Sequence, residues 1–151
     1  MTIGVISDTH GLLRPQAMEA LRGCELILHA GDVGSQAVLD ALQGIAPVVA
    51  VRGNVDLADW AQRLPVTELA ESGSKSFYIL HRIADLDLKP RAAGVDAVIF
   101  GHSHRAQIER RDGILFFNPG SAGPRRFSLP VTLGKISIVD GELRPEIVPL
   151  L

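Results

Sequence analysis

The sequence predicts an α/β fold, and three observations predict it. Over the first two thirds of the chain, short runs rich in Val, Ile and Leu alternate with polar turns and helically spaced segments, the habit of a buried, largely parallel sheet. The last third changes to two runs broken by Asp-Gly pairs, Gln107 to Phe117 at Asp112-Gly113 and Val131 to Val148 at Asp140-Gly141, which reads as two tight hairpins. No repeat, low-complexity tract or Pro/Gly/Ser linker separates the two regions, so they are expected to pack as one sandwich domain over residues 1–151.

Ile3 to Ile6 reads as the first strand, and Pro15 to Leu21 as a helix that Pro15 opens at its first position. Leu26 to Leu28 is the second strand, followed by a helix over Gln36 to Leu42 with Val38, Leu39 and Leu42 on one face. Val48 to Val51 is the third. Leu57, Trp60 and Leu64 then recur at spacings of three and four, predicting a helical turn whose apolar side meets the core or another subunit. Strands follow at Phe77 to Leu80 and Ala97 to Phe100, with a helical or turn segment near Leu86 to Ala93 between them. The two hairpins are expected to form a second, mainly antiparallel sheet.

The chain has 151 residues, 46% hydrophobic and 21% charged, enough to bury about 70% of its unfolded surface around one core and too apolar for disorder. A formal net charge of -2 without a long Lys/Arg run argues against binding polyanions or an anionic membrane surface. Met1 to Ile6 has no basic flank and only a short apolar run, so neither a signal peptide nor a membrane span is expected, and the location is expected to be cytoplasmic. Cys24 stands alone, cannot form an internal disulfide, and reads as a small buried apolar residue.

Chemistry enters where the apolar runs stop. Five of them end on Asp, Asn or His: at Asp8-Thr9-His10, Gly31-Asp32, Gly53-Asn54, His81, and Gly101-His102-Ser103-His104. The carboxyl ends of strands in an open α/β sheet share one edge where ligands bind, so residues spread over two thirds of the chain would converge there. Carboxylate, imidazole and amide donors without a thiolate suit manganese, iron, cobalt, nickel or zinc, with manganese the choice here. Seven such groups exceed what one catalytic ion uses when a position stays open. Two ions fit better, roughly 3.5 to 4 Å apart, able to generate hydroxide and to stabilise both oxygens of an in-line phosphoryl displacement.

This ordered series resembles the signature of the calcineurin-like metallophosphoesterases, and the whole chain, including Asn118 to Gly123, is similar to the small bacterial and archaeal phosphodiesterases among them. The resemblance implies a four-layer-type α/β sandwich of two mixed sheets flanked by helices. It implies that Asp8, His10, Asp32 and His104 hold one divalent cation and that Asp32, Asn54, His81 and His102 hold the second, with Asp32 bridging. It also implies hydrolysis of a small phosphodiester, nucleic acid being a partner only as a substrate; a homo-oligomer is compatible with the apolar residues near Trp60. A phosphomonoesterase on the same site and a non-catalytic interaction scaffold on the same fold are the alternatives. His29, inside a strand, is expected to be packed or to support a ligand.

The chain departs from the larger relatives at Val55, where they place a histidine that protonates the leaving group. Asp56 is the nearest replacement as general acid, a role that would need burial or a neighbouring carboxylate to raise its pKa. Ser35 stands where many relatives carry a second acidic residue. Arg82, after His81, and Arg125 and Arg126, after the Asn118 to Gly123 loop, are candidates to meet substrate phosphate through a guanidinium fork.

Overall fold

Two five-stranded mixed sheets face one another in the computed structural model, which describes residues 1–151. The first is ordered β10-β9-β1-β2-β3, from β1 (Thr2–Ile6), β2 (Leu26–His29), β3 (Val48–Ala50), β9 (Thr132–Val139) and β10 (Glu142–Pro149). The second is ordered β4-β5-β6-β8-β7, from β4 (Thr67–Ser72), β5 (Lys75–Leu80), β6 (Ala97–Ile99), β7 (Gln107–Arg111) and β8 (Ile114–Asn118). Two helices, α1 (Pro15–Leu21) and α2 (Gln36–Gln43), lie between the first three strands in sequence.

The apolar runs are continuous because both faces of each sheet are covered. Ile3, Val5 and Leu28 of the first sheet meet Phe77, Ile79, Ile99, Leu115 and Phe117 of the second in a buried layer between them. The alternate residues Ile6, Ile27 and Leu133 face outward onto Leu21 of α1 and Val38, Leu39 and Leu42 of α2. On the far side of the second sheet Leu80, Val98, Phe100, Ile114 and Phe116 are covered by Ile83 and Leu86 from a short 3₁₀ turn, Ile83–Asp85, and the residues after it. That fourth layer is therefore thin, and both α-helices cover the first sheet.

The expectation of a separate, mainly antiparallel sheet is corrected. Each hairpin joins a different sheet: β9 pairs antiparallel with β1, Ile136 opposite Ile3, and β8 pairs parallel with β6, Leu115 opposite Ala97. Both sheets are mixed as a result. Leu86 to Ala93, expected as helical or turn, follows the 3₁₀ turn and contains bends and turns but no helix. The Trp60 segment is a 3₁₀ helix, Asp59–Arg63; Trp60 and Leu64 pack on the helix-side core, while Leu57 is left 78% exposed. Cys24 is buried, and burial raises its thiol pKa, consistent with a packing role. No helix is long and apolar enough to cross a membrane.

Candidate metal centre

The ends of β1, β2 and β3 meet those of β5 and β6 through the backbone. Asp8 N–H donates to Gly31 O (3.0 Å), and Gly101 N–H donates to His81 O (3.0 Å), joining neighbouring loops within each sheet. Across the sheets, His102 N–H donates to Asp8 Oδ2 (3.1 Å), and His81 Nδ1 bonds Ala30 O (2.8 Å). The loops turn sharply: Asp8, His10, Asp32, His102 and His104 have φ of 56°, 48°, 54°, 73° and 63°. Left-handed backbone at non-glycine residues is uncommon, costs of order 1–3 kcal/mol each when strained, and clusters where ligands are held. Two glycines make the crowding possible. A Cβ on Gly53 would overlap the Asp32 carboxylate, and one on Gly101 would strike Ser7 Oγ and come within 2.7 Å of Asp8 Oδ2.

Both carboxylates have one oxygen anchored and the other aimed inward. Asp8 Oδ2 accepts from the Ser7 hydroxyl (2.7 Å) and the His102 amide. Its Oδ1 faces His104 Nε2 at 3.5 Å and His10 Nε2 and His81 Nε2 at 3.9 Å each. Asp32 Oδ1 accepts from Val55 N–H (3.0 Å), and Oδ2 faces His81 Nε2 at 3.1 Å and His10 Nε2 at 3.7 Å. Because a carbonyl can only accept, His81 Nδ1 carries a proton, which leaves Nε2 turned toward two carboxylate oxygens.

Acceptors that face one another require a positive charge between them. Four buried atoms here, Asp8 Oδ1, His10 Nε2, His81 Nε2 and His104 Nδ1, have no hydrogen-bond partner, and each such atom costs about 1–3 kcal/mol. Asp8, His10 and His104 bring one ligand atom each within 4.8 Å of one another, and so do Asp8, Asp32 and His81. The oxygen and imidazole donors fit a divalent transition metal. Asp8 belongs to both groups, while Asp32 Oδ2 lies between His10 and His81, so both carboxylates occupy central positions.

The ionisation pattern follows from this crowding. Burial pushes the Asp8 carboxyl up against the pull of His81. Burial also pushes Asp32 up, but contact with His81 and the Val55 amide outweighs it and holds Asp32 below the usual range. His81 is lowered by burial and raised more by Asp32, Asp8 and the Ala30 carbonyl, ending above an ordinary histidine. His104 is lowered, by burial first and then by the Arg126 charge, despite Asp8.

Asn54 and His102 lie on the rim, both exposed, with His102 Nδ1 on Asn54 Oδ1 at 3.2 Å. His102 reaches the cluster through its ring, which stands edge-on to His81 with centroids 5.2 Å apart. Arg82 is exposed beside His81, in the wall of a cavity that also includes Asn54. Arg126 is close enough for its charge to act on His104, whereas Arg125 is exposed and bonds none of the cluster.

Asp56 is corrected from general acid to loop anchor. It is 2% exposed, and its two oxygens accept from the backbone N–H groups of Val33 (3.1 Å), Gly34 (3.0 Å) and Gly53 (2.9 Å). A carboxylate so occupied has no oxygen turned toward a substrate.

Further residues support these loops, His29 in the packed, supporting role expected of it and Asn118 and Ser121 in roles that sequence reasoning missed. His29 accepts from Gly31 N–H at Nδ1 (3.1 Å) and so donates from Nε2 to Thr9 Oγ1 (3.0 Å), whose hydroxyl donates to Val33 O (2.8 Å). Burial lowers its pKa to about 3, so it is neutral. Asn118 Nδ2 donates to Gly101 O (3.1 Å) and Ser103 Oγ (3.2 Å), and Ser121 Oγ donates to Asp8 O (3.1 Å). The Asn118 to Gly123 motif was visible in the sequence; its bracing of both ligand loops was not.

Facing mixed sheets with strained, carboxylate- and histidine-rich loops at their shared edge define a class of α/β proteins built to hold metal. The chain belongs to the calcineurin-like phosphoesterase superfamily, whose domain model matches residues 1–141. It is 35% identical to a probable metallophosphoesterase of Methanocaldococcus jannaschii, over 99% of this chain and 82% of the relative. Among solved structures, a novel archaeal phosphodiesterase superposes with a TM-score of 0.79 at 27% identity, covering 98% of this chain and all of the other. Vps29 of Chaetomium thermophilum shares the fold at a TM-score of 0.78 and 20% identity, over 97% and 95% of the two chains.

Proposed function

We propose that this phosphoesterase-family chain is a dinuclear metal-dependent phosphodiesterase acting on a small phosphodiester by in-line displacement at phosphorus. The observation that carries it is the convergence of Asp8 Oδ1, Asp32 Oδ2 and His81 Nε2, three acceptors from both sheets, within one buried cluster. Asp8, His10, Asp32 and His104 are proposed to hold one cation, and Asp32, Asn54, His81 and His102 the other, with manganese favoured over nickel, iron, cobalt or zinc. When bound, such cations supply Lewis acidity, which activates water and takes up charge on phosphoryl oxygens. The likeness to an archaeal phosphodiesterase supports the diester preference.

The side chains hold the reacting groups and exclude alternatives. Ser7 and the His102 amide fix the Asp8 carboxylate, and Ala30 O fixes the His81 ring, so donor geometry is set before substrate arrives. Arg82, beside His81, and Arg126, within reach of His104, bring positive charge to the cluster, where a phosphate would be oriented. Val55 offers no proton and Asp56 is turned away, leaving the departing alkoxide without a dedicated side-chain acid.

Turnover of bis-p-nitrophenyl phosphate and p-nitrophenyl phosphate with added manganese tests the proposal. Hydrolysis of the diester should be faster, and rates across substituted phenyl diesters should fall steeply as the leaving group becomes more basic. Failure to hydrolyse either ester overturns the reading. Preference for the monoester overturns its diester part.

A further inference from the structure

Two cavities lie beside the cluster and share Arg82 in their walls. The larger, about 350 Å³, reaches Asn54 and His81 and is walled by Arg52, Arg82, Tyr78, Asp85 and Asp87. The smaller, about 190 Å³, reaches Gly101 and His102 and is walled by Ile83 and Phe100. Pockets of a few hundred Å³ with a few placed polar groups are the usual form of a small-molecule site. A phosphodiester has two ester arms, and two adjoining cavities beside the cluster offer room for both.

The larger cavity has a distinct charge. Arg52 is separated from the end of β3 by Val51 alone and lies two residues before Asn54, with its backbone N–H fixed on Pro65 O (2.8 Å). Its guanidinium donates from one nitrogen to the Gln62 amide oxygen (2.6 Å), a neutral partner, while Gln62 is itself held on Leu57 O (3.4 Å). The guanidinium is therefore held by a solvent-exposed bond without being neutralised. Arg82 has only an exposed contact with Asp85 at 3.8 Å, a weak attachment in solvent. Two arginines, one from each sheet, thus line the cavity that reaches Asn54 and His81. A single-charged diester phosphate engaged at the cluster with Arg82 turned to it leaves Arg52 unmatched, and a guanidinium fork fits phosphate or carboxylate oxygens.

We infer that the larger cavity takes the substrate arm bearing a second anionic group, a phosphate or carboxylate, and that Arg52 is the residue that recognises it. This rests on the phosphodiesterase reading and names the substrate class within it: a diester with a further anion on one arm. Asp85 and Asp87, on the segment after Arg82, line the same cavity and repel an anion placed against them, so the second charge is expected at Arg52.

Binding and turnover test it separately. With manganese present, calorimetric titration of the wild type should give about tenfold tighter binding of thymidine 3′,5′-bisphosphate than of thymidine 5′-monophosphate, the scale of one charge-assisted contact. Arg52→Gln should collapse that ratio and Arg52→Lys should keep part of it. With manganese, a thymidine dinucleotide carrying a 5′-terminal phosphate should be cleaved with higher kcat/KM than the same dinucleotide without it, and Arg52→Gln should reduce that ratio toward one. Equal binding of the two mononucleotides by the wild type, or an unchanged ratio in Arg52→Gln, overturns the inference. Discrimination in binding without turnover of any diester overturns the hydrolytic reading alone.

Discussion

Asp8 carries opposite environments on its two oxygens, one bonded by Ser7 and an amide, the other buried among three imidazoles without a hydrogen bond. An amide in its place can keep the first set of bonds while offering N–H groups to the ring nitrogens. Asp8→Asn is therefore expected to be at least as stable as wild type in chelator, by about 1 kcal/mol or more, and to lose the manganese-dependent rise in melting temperature. Urea unfolding with chelator, and thermal melts with manganese, check the two halves; a several-kcal/mol loss in chelator would mean the carboxylate is already partnered. His29 gives a pH prediction. Its pKa is about 3 in the folded chain against 6.5 ordinarily, so between these values the unfolded chain binds a proton that the folded chain does not. Its contribution to stability is undiminished above pH 6.5 and falls as pH drops below it, by about 1.4 kcal/mol per unit. In chelator, urea midpoints from pH 7 to 4.5 should decline more steeply for wild type than for His29→Asn, whose amide oxygen can replace Nδ1 as the Gly31 acceptor; equal slopes would refute it. The groups that form the cluster were legible because each interrupts or ends an apolar run. Ser7, Asn118 and Ser121 were not, because small polar loop residues are common and the Ser121–Asp8 bond spans 113 positions.

At the scale of elements, the loops after β2 and β3 behave as one unit pinned by Asp56. Its three amide donors come from both loops, Val33 and Gly34 from one and Gly53 from the other. Its nearness to Asn54 in sequence pointed to proton donation; only the folded loops reveal that its oxygens are already used. Asp56→Asn places an NH₂ against backbone N–H groups and should cost about 1–3 kcal/mol of stability. The pH profile of kcat should keep its limbs in place, since no proton is transferred through this residue. A displaced or abolished limb with unchanged stability would restore the general-acid reading. Strand legibility divides along similar lines. β1, β2, β5 and β6 were visible as apolar runs, and both hairpins by their Asp-Gly turns. β4 was not, because Thr67–Ser72 buries only Ala70 and its polar, exposed residues leave no apolar period to read. Which sheet each hairpin joins was equally hidden, since β8 finds β6 and β9 finds β1 through pairings that no local pattern specifies.

For the whole molecule, the division of the proposed ligands between sheets sets how metal and fold are coupled. Asp8, His10, Asp32 and Asn54 follow strands of the first sheet, whereas His81, His102 and His104 follow strands of the second. The apolar layer between the sheets holds them together along their length, but at the ligand edge the direct bonds across are few and the facing groups are acceptors. Cations bound there would join the sheets where they are otherwise electrostatically least matched. Manganese should therefore stabilise the fold by the usual mass-action relation, about 2.7 kcal/mol at one hundred times its Kd, and the gain should be shared by both sheets. Amide hydrogen exchange should slow on metal addition in the loop from Asp8 to Gly11 and equally in the loop from Gly101 to His104. His104→Ala, a change confined to the second sheet, should then diminish the protection gained at Asp8 to Gly11 in the first. Protection confined to one sheet, or a first-sheet gain indifferent to His104, would show that the ions are not shared and that the two halves bind independently.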